Sequence, residues 1–162
     1  MRETERLARL FREAISGQPW HGPSLAAVLE GLDAAMAAAR PIDSAHSIGE
    51  IVLHLTGWTR EVARRLDGGT PQPPASGDWP ALDEVEWSAA RADLFSAHEE
   101  LLAALARFPD AQLDGVIGGE RDAPLGTGVS YRDMILGALQ HDAHHGAQIA
   151  ILRKGKLLRA AR

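Results

Sequence analysis

From Ser47 to Leu66 the apolar side chains Ile48, Ile51, Leu55, Trp58, Val62 and Leu66 recur at three- and four-residue steps. That period admits one regular structure, an α-helix with a single apolar face. Ser47, with Glu50 three residues on, forms a capping box that fixes the start, and Gly68-Gly69 ends it. The same period appears elsewhere. Thr4 to Ile15 places Leu7, Leu10, Phe11, Ala14 and Ile15 on one face before Gly17, Pro19, Gly22 and Pro23 break the pattern. Ser24 is a plausible N-cap for a helix running to Ala39, with Leu25, Val28, Leu29, Leu32 and Met36 aligned and Pro41 as its stop. A long helix is expected from Leu82 to Phe108, through Val85, Ala89, Ala92, Phe95, Leu101, Leu102 and Leu105, with Pro109 just beyond it. Ser130 caps a last helix to about Lys154, with Asp133 in its first turn and Gly155 as the expected stop.

The connections read differently. Residues 70–80 hold prolines, glycines and small polar residues and are expected to form a surface loop, whereas Asp110 to Gly128 is either an irregular excursion or a brief hairpin. One tyrosine and three phenylalanines among many alanines and leucines give poor sheet propensity. The two short N-terminal helices together make one arm, so four amphipathic arms, each with a face to bury, imply an all-α, four-helix bundle, expected to be antiparallel, in which the long connections allow a non-sequential order. A chain of 162 residues suits a single domain over 1–162.

Several function classes fall away. The net charge is −5, and no lysine or arginine cluster could neutralise a row of phosphates, so nucleic acid is a poor partner. Cysteine is absent, which excludes disulfides, iron–sulfur ligation and a cysteine nucleophile, and any metal must be held by nitrogen and oxygen. The charged start Met1-Arg2-Glu3-Thr4-Glu5-Arg6 lacks the apolar core of a signal peptide, and no run is long enough for a membrane span. A cytoplasmic protein without membrane attachment is expected.

The last helix carries the strongest chemical signal. His141 and His145 lie four residues apart, on one face and within chelating distance. At 100° per residue, Met134, Ala138, His141, His145, Gln148 and Leu152 share the sector that faces the interior, with His144 at its margin. Two buried imidazoles need partners, and either a metal or hydrogen bonds can supply them. His54, beside the Ile51, Leu55 and Trp58 stripe, is placed to be a third ligand from a second helix. Such a set suits zinc first and nickel next, with iron or cobalt also compatible, and leaves a coordination position free. His141-Asp142-x-x-His145 is similar in spacing to the zinc-protease helix, with aspartate in place of the glutamate base. Asp142 is therefore a candidate catalytic base, or else a partner of a ligand or a solvated charge. His98 is expected to be exposed or to pack between helices, and His46 to be structural. His21, between Pro19 and Pro23, lies at a pocket rim or in a plain surface turn.

Ala45-His46-Ser47-Ile48 leading to Val52-Leu53-His54-Leu55, with the later His141-Asp142-Ala143-His144-His145-Gly146-Ala147-Gln148-Ile149 followed by Leu152-Arg153-Lys154, resembles the DinB-like (YfiT-like) superfamily over nearly the whole chain. The resemblance implies an all-helical bundle with a three-histidine metal site, frequently a homodimer. It also implies kinship with thiol-dependent transferases and with mycothiol-dependent maleylpyruvate isomerase. The family commonly has an aromatic residue where Gly49 and His144 stand here, which implies altered packing beside the metal.

The leading expectation is a metal-dependent enzyme, a thiol transferase or a hydrolase, acting on a small-molecule substrate with or without a low-molecular-weight thiol. A noncatalytic metal- or ligand-binding bundle of the stress response and a dimeric interaction module are the alternatives. A ferritin-like di-iron site is disfavoured, because no E-x-x-H pair occurs.

Overall fold

The computed structural model describes residues 1–82 and 86–160. Among them the chain is all-helical, with α1 (Glu3–Ser16), α2 (Leu25–Leu29), α3 (Ala34–Ala38), α4 (Ile48–Leu66), α5 (Trp87–Arg107) and α6 (Tyr131–Ala160). The four longer helices pack together, α4 against α5 and α6, and α1 against the same two. None of the described helices is long and apolar enough to cross a membrane.

The long elements start where their side chains dictate. Ser47 accepts from the Glu50 amide at 3.2 Å while the Glu50 carboxylate accepts from the Ser47 amide at 2.7 Å, closing the capping box of α4. Ser130 does the same for α6, its hydroxyl accepting from the Asp133 amide at 3.0 Å. The expected helix from Ser24 to Ala39 is instead broken in two. Ser24 caps α2, but Gly31 takes a left-handed φ of 69°. The Asp33 side chain then accepts from the Met36 amide at 2.7 Å and starts α3. A glycine free to reverse the chain and an aspartate that competes as a cap outweigh the apolar period there. α5 begins at Trp87 rather than Leu82, and Val85 lies outside the described residues. α6 runs on through Gly155, contrary to expectation. The glycine lets the helix approach Pro41, whose Cβ would lie 3.3 Å from an added methyl group. Of the hairpin alternative for Asp110 to Gly128, a single bridge between Val116 and Ser130 remains.

The bundle is not wholly antiparallel. The N-terminal halves of α4 and α5 share one apolar cluster with the C-terminal half of α6, built on Ile51, Leu55, Leu94 and Ile149. Their C-terminal halves share another with α1 and the start of α6, built on Phe11, Val62, Leu105 and Ile135. α4 and α5 therefore run parallel, and α6 runs against both. Parallel neighbours require a crossover, and the segment 67–86 is long enough to provide it. Glu61, buried in α4, pins this crossover by accepting from the Gln72 amide at 2.9 Å and from Arg64 and Arg65 at 2.8 and 2.6 Å. Between the two apolar clusters lies a belt of polar side chains, His54, Thr56 and Thr59 of α4, His98 of α5, and Asp142 and His145 of α6, all buried.

Candidate metal centre

α4 supplies His54 to the belt, and α6 supplies His141 and His145 from successive turns. Their ring nitrogens converge: His141 Nε2 lies 2.9 Å from His54 Nε2 and 3.0 Å from His145 Nε2. All three candidate ligand atoms lie within 4.8 Å of one another. Metal–nitrogen bonds near 2.1 Å place neighbouring ligand atoms roughly 3 to 3.4 Å apart at octahedral to tetrahedral angles, so the spacing is that of one coordination sphere.

The outer ring nitrogens fix which lone pairs point inward. His54 Nδ1 donates to the Asp78 carbonyl at 2.6 Å, and His145 Nδ1 donates to Gln148 Oε1 at 2.6 Å. The Gln148 amide is oriented in turn by His144 Nε2, which accepts from Gln148 Nε2 at 3.1 Å. Both rings therefore direct an unprotonated Nε2 at His141 Nε2. One proton on His141 can serve one of these contacts and leaves the other as two facing lone pairs. A cation satisfies all three nitrogens at once, so the residues present fit a divalent metal. Burial, together with the charges of His145 and His54, pushes His141 down to about 4, and burial also lowers His145. Both are neutral at pH 7, the form that binds metal.

The crossover, expected to be a mere surface loop, supplies the outer wall. Trp79 is sandwiched between His46 and His54, with ring centroids 3.7 and 3.9 Å apart and planes within 5°. Trp58 Nε1 donates to Asp78 Oδ1 at 2.7 Å, which holds the Asp78 carbonyl over His54. His46, expected to be structural, is the outer member of this stack. Trp79→Ala removes the surface that holds the His54 ring in place. Groups that orient a ligand are worth about 10- to 100-fold in metal affinity, and a loss of about tenfold is expected in competition titrations with a chromogenic chelator.

The remaining predicted residues separate. Asp142 turns to α5, where its Oδ2 lies 3.1 Å from His98 Nε2. His98 Nδ1 donates to the Leu94 carbonyl at 2.9 Å. His98 is 1 % exposed and packs between helices rather than joining the three-histidine cluster. Its burial favours the neutral ring, but the Asp142 hydrogen bond and charge outweigh this and raise its pKa. The exposed His21 lines a cavity of about 240 Å3 beside α2 and α6 that Asp142 also reaches. His144 is exposed and acts on His145 through Gln148.

The space that an aromatic residue at Gly49 would need belongs to Leu82, whose Cγ would lie 2.9 Å from an added Cβ. Gly49→Ala therefore displaces Leu82 at the N-terminal end of α4, and a loss of about 1 to 3 kcal/mol is expected in urea unfolding.

Asp78, Trp79 and Trp58 are the contributors that the sequence reading missed. The available signal was an indole in a segment of prolines and glycines, an apolar surface that such a segment cannot bury by itself.

The family model of the DinB superfamily matches residues 20–149, a span that contains all three histidines. No curated protein and no solved structure matches the chain.

Proposed function

Because this chain belongs to the DinB superfamily, we propose that it is a metal-dependent enzyme whose three-histidine centre activates a nucleophile for thiol transfer or hydrolysis on a small-molecule substrate. The observation that carries the reading is the convergence of three Nε2 atoms whose outer nitrogens are already committed, an arrangement that only a shared cation relieves fully. A divalent ion held there would lower the pKa of a water or thiol and so supply the attacking group at neutral pH. His54, His141 and His145 hold it, while Asp78 and Gln148 fix two of the tautomers and Trp79 shields the His54 ring. Asp142, through His98, ties α6 to α5 one residue from His141 and so positions that ligand. The chain has no cysteine, so in the transferase reading the thiol comes from a low-molecular-weight cosubstrate. Zinc or nickel is the proposed ion, and a homodimer is the proposed state.

The test is elemental analysis of untagged protein, followed by assays of electrophile conjugation to small thiols and of ester and amide hydrolysis. One divalent ion per chain, with turnover lost on chelation and restored by the metal, is the expected result. Failure to retain zinc or nickel after equilibration would overturn the metal centre. Full occupancy without turnover in either assay would favour the noncatalytic binding bundle.

A further inference from the structure

We propose that the cavity of about 400 Å3 between α4, α6 and residues 121–129 is the substrate pocket of the metal centre, and that it selects an apolar monocarboxylate held by Arg121. The location of the chemistry rests on the reading above, and the pocket and its charge are independent of it. His141 forms part of the wall, and Trp58, Val62 and Met134 supply apolar surface. The volume lies within the range of small-molecule sites.

The charged groups that line the pocket decide what it accepts. Arg65 is buried but neutralised by Glu61 at 2.6 Å. Asp142 is taken up by His98 at 3.1 Å. Arg121 differs from both, since among the described residues no carboxylate forms an ion pair with it. Its Nη1 donates to the carbonyls of Asp122 and Thr127, each at 3.1 Å, which aims the guanidinium without neutralising it. The adjacent Asp122 carboxylate accepts instead from the Leu125 amide at 3.1 Å.

The segment is built to hold this arginine. Buried Thr127 donates to the Glu120 carbonyl at 2.8 Å. Gly128 takes a left-handed φ of 70°, and an added Cβ there would lie 2.6 Å from Arg121 Cα, so only glycine lets the two arms of this loop approach. One uncompensated guanidinium beside apolar walls matches a single negative charge on an apolar body.

A larger cavity, about 590 Å3, opens between α4, α5 and the crossover. No histidine lines it, and its arginines are already paired, Arg60 with Asp93 at 2.6 Å and Arg64 with Glu61 at 2.8 Å.

The test uses the full chain, zinc-loaded and zinc-free, titrated calorimetrically with 4-phenylbutyrate and with its neutral amide. The wild type is expected to bind the carboxylate at least about tenfold more tightly than the amide, in both metal states. Arg121→Met should abolish that preference while zinc uptake and the melting temperature are unchanged, and Arg121→Lys should retain part of it. A preference that survives Arg121→Met, or one that disappears on chelation, places the anion on the metal and overturns the proposal. Equal affinity for the two probes, or no binding of either, also overturns it. Failure of the metal centre itself is read separately, as absence of zinc uptake by the wild type.

Discussion

The His141→Ala protein is expected to bind zinc or nickel more than about 100-fold more weakly than the wild type, since removing even an outer partner of a ligand costs 10- to 100-fold. His141 Nε2 is the central atom of the set, 2.9 and 3.0 Å from its two neighbours, so its loss leaves two ligands on different helices with nothing between them. The same substitution should not destabilise the metal-free protein appreciably, because it removes the unfavourable approach of lone pairs. Ion at 100 times its dissociation constant stabilises the wild type by about 2.7 kcal/mol. For a chain of this length that is roughly 5 to 10 °C in melting temperature. Scanning calorimetry with and without zinc should show that rise in the wild type and none in the variant. An equal rise in both would remove His141 from the coordination sphere.

The metal-free wild type also has a defined acid response. His141, held down to about 4 by burial and neighbouring charge, takes up a proton more readily when unfolded, so folding stability falls as pH drops from about 6.5 towards 4. Bound metal keeps protons off all three folded imidazoles to still lower pH, so it should raise stability at neutral pH and steepen the loss on acidification.

His98→Leu has the second large effect. It leaves the Asp142 carboxylate, 5 % exposed, without its partner in the middle of the bundle. Breaking one side of a buried pair costs about 3 to 5 kcal/mol, whereas replacing both with apolar groups is often close to neutral. The single variant should therefore melt about 10 °C lower, and the double variant His98→Leu/Asp142→Leu should recover most of the loss. The pH dependence has the opposite sign to that of His141. The folded pKa of His98 is raised, so its contribution is complete below the unfolded value near 6.5 and is lost as pH rises through the folded value. Denaturant midpoints from pH 5 to 9 measure this directly. A loss under about 1 kcal/mol, with an unchanged pH profile, would show that the contact carries little.

Much of this was legible in the residues themselves. The period of Ile48 to Leu66 and the Ser47-Glu50 box fixed α4 closely, because local spacing and capping act within one helix. His141 and His145 were readable for the same reason, and His54 followed from its place beside the apolar stripe. The parallel pairing of α4 and α5 was not legible, since helical periodicity states which face is buried but not which neighbour covers it. The sequence leaves Asp142 open between a catalytic base, a partner of a ligand and a solvated charge, because its partner, His98, comes from a helix whose rotation depends on packing. Trp79 was hidden by its company: prolines and glycines mark irregular backbone but say nothing about where an indole within them comes to rest.

The belt of polar side chains across the bundle divides each of the three long helices into segments that serve different apolar cores. Amide exchange should accordingly reveal two cooperative units whose border crosses α4, α5 and α6 near their midpoints rather than following any loop. An ion gripped by α4 and α6 at that border would make the two units open together, so its release changes how the molecule comes apart as well as how readily.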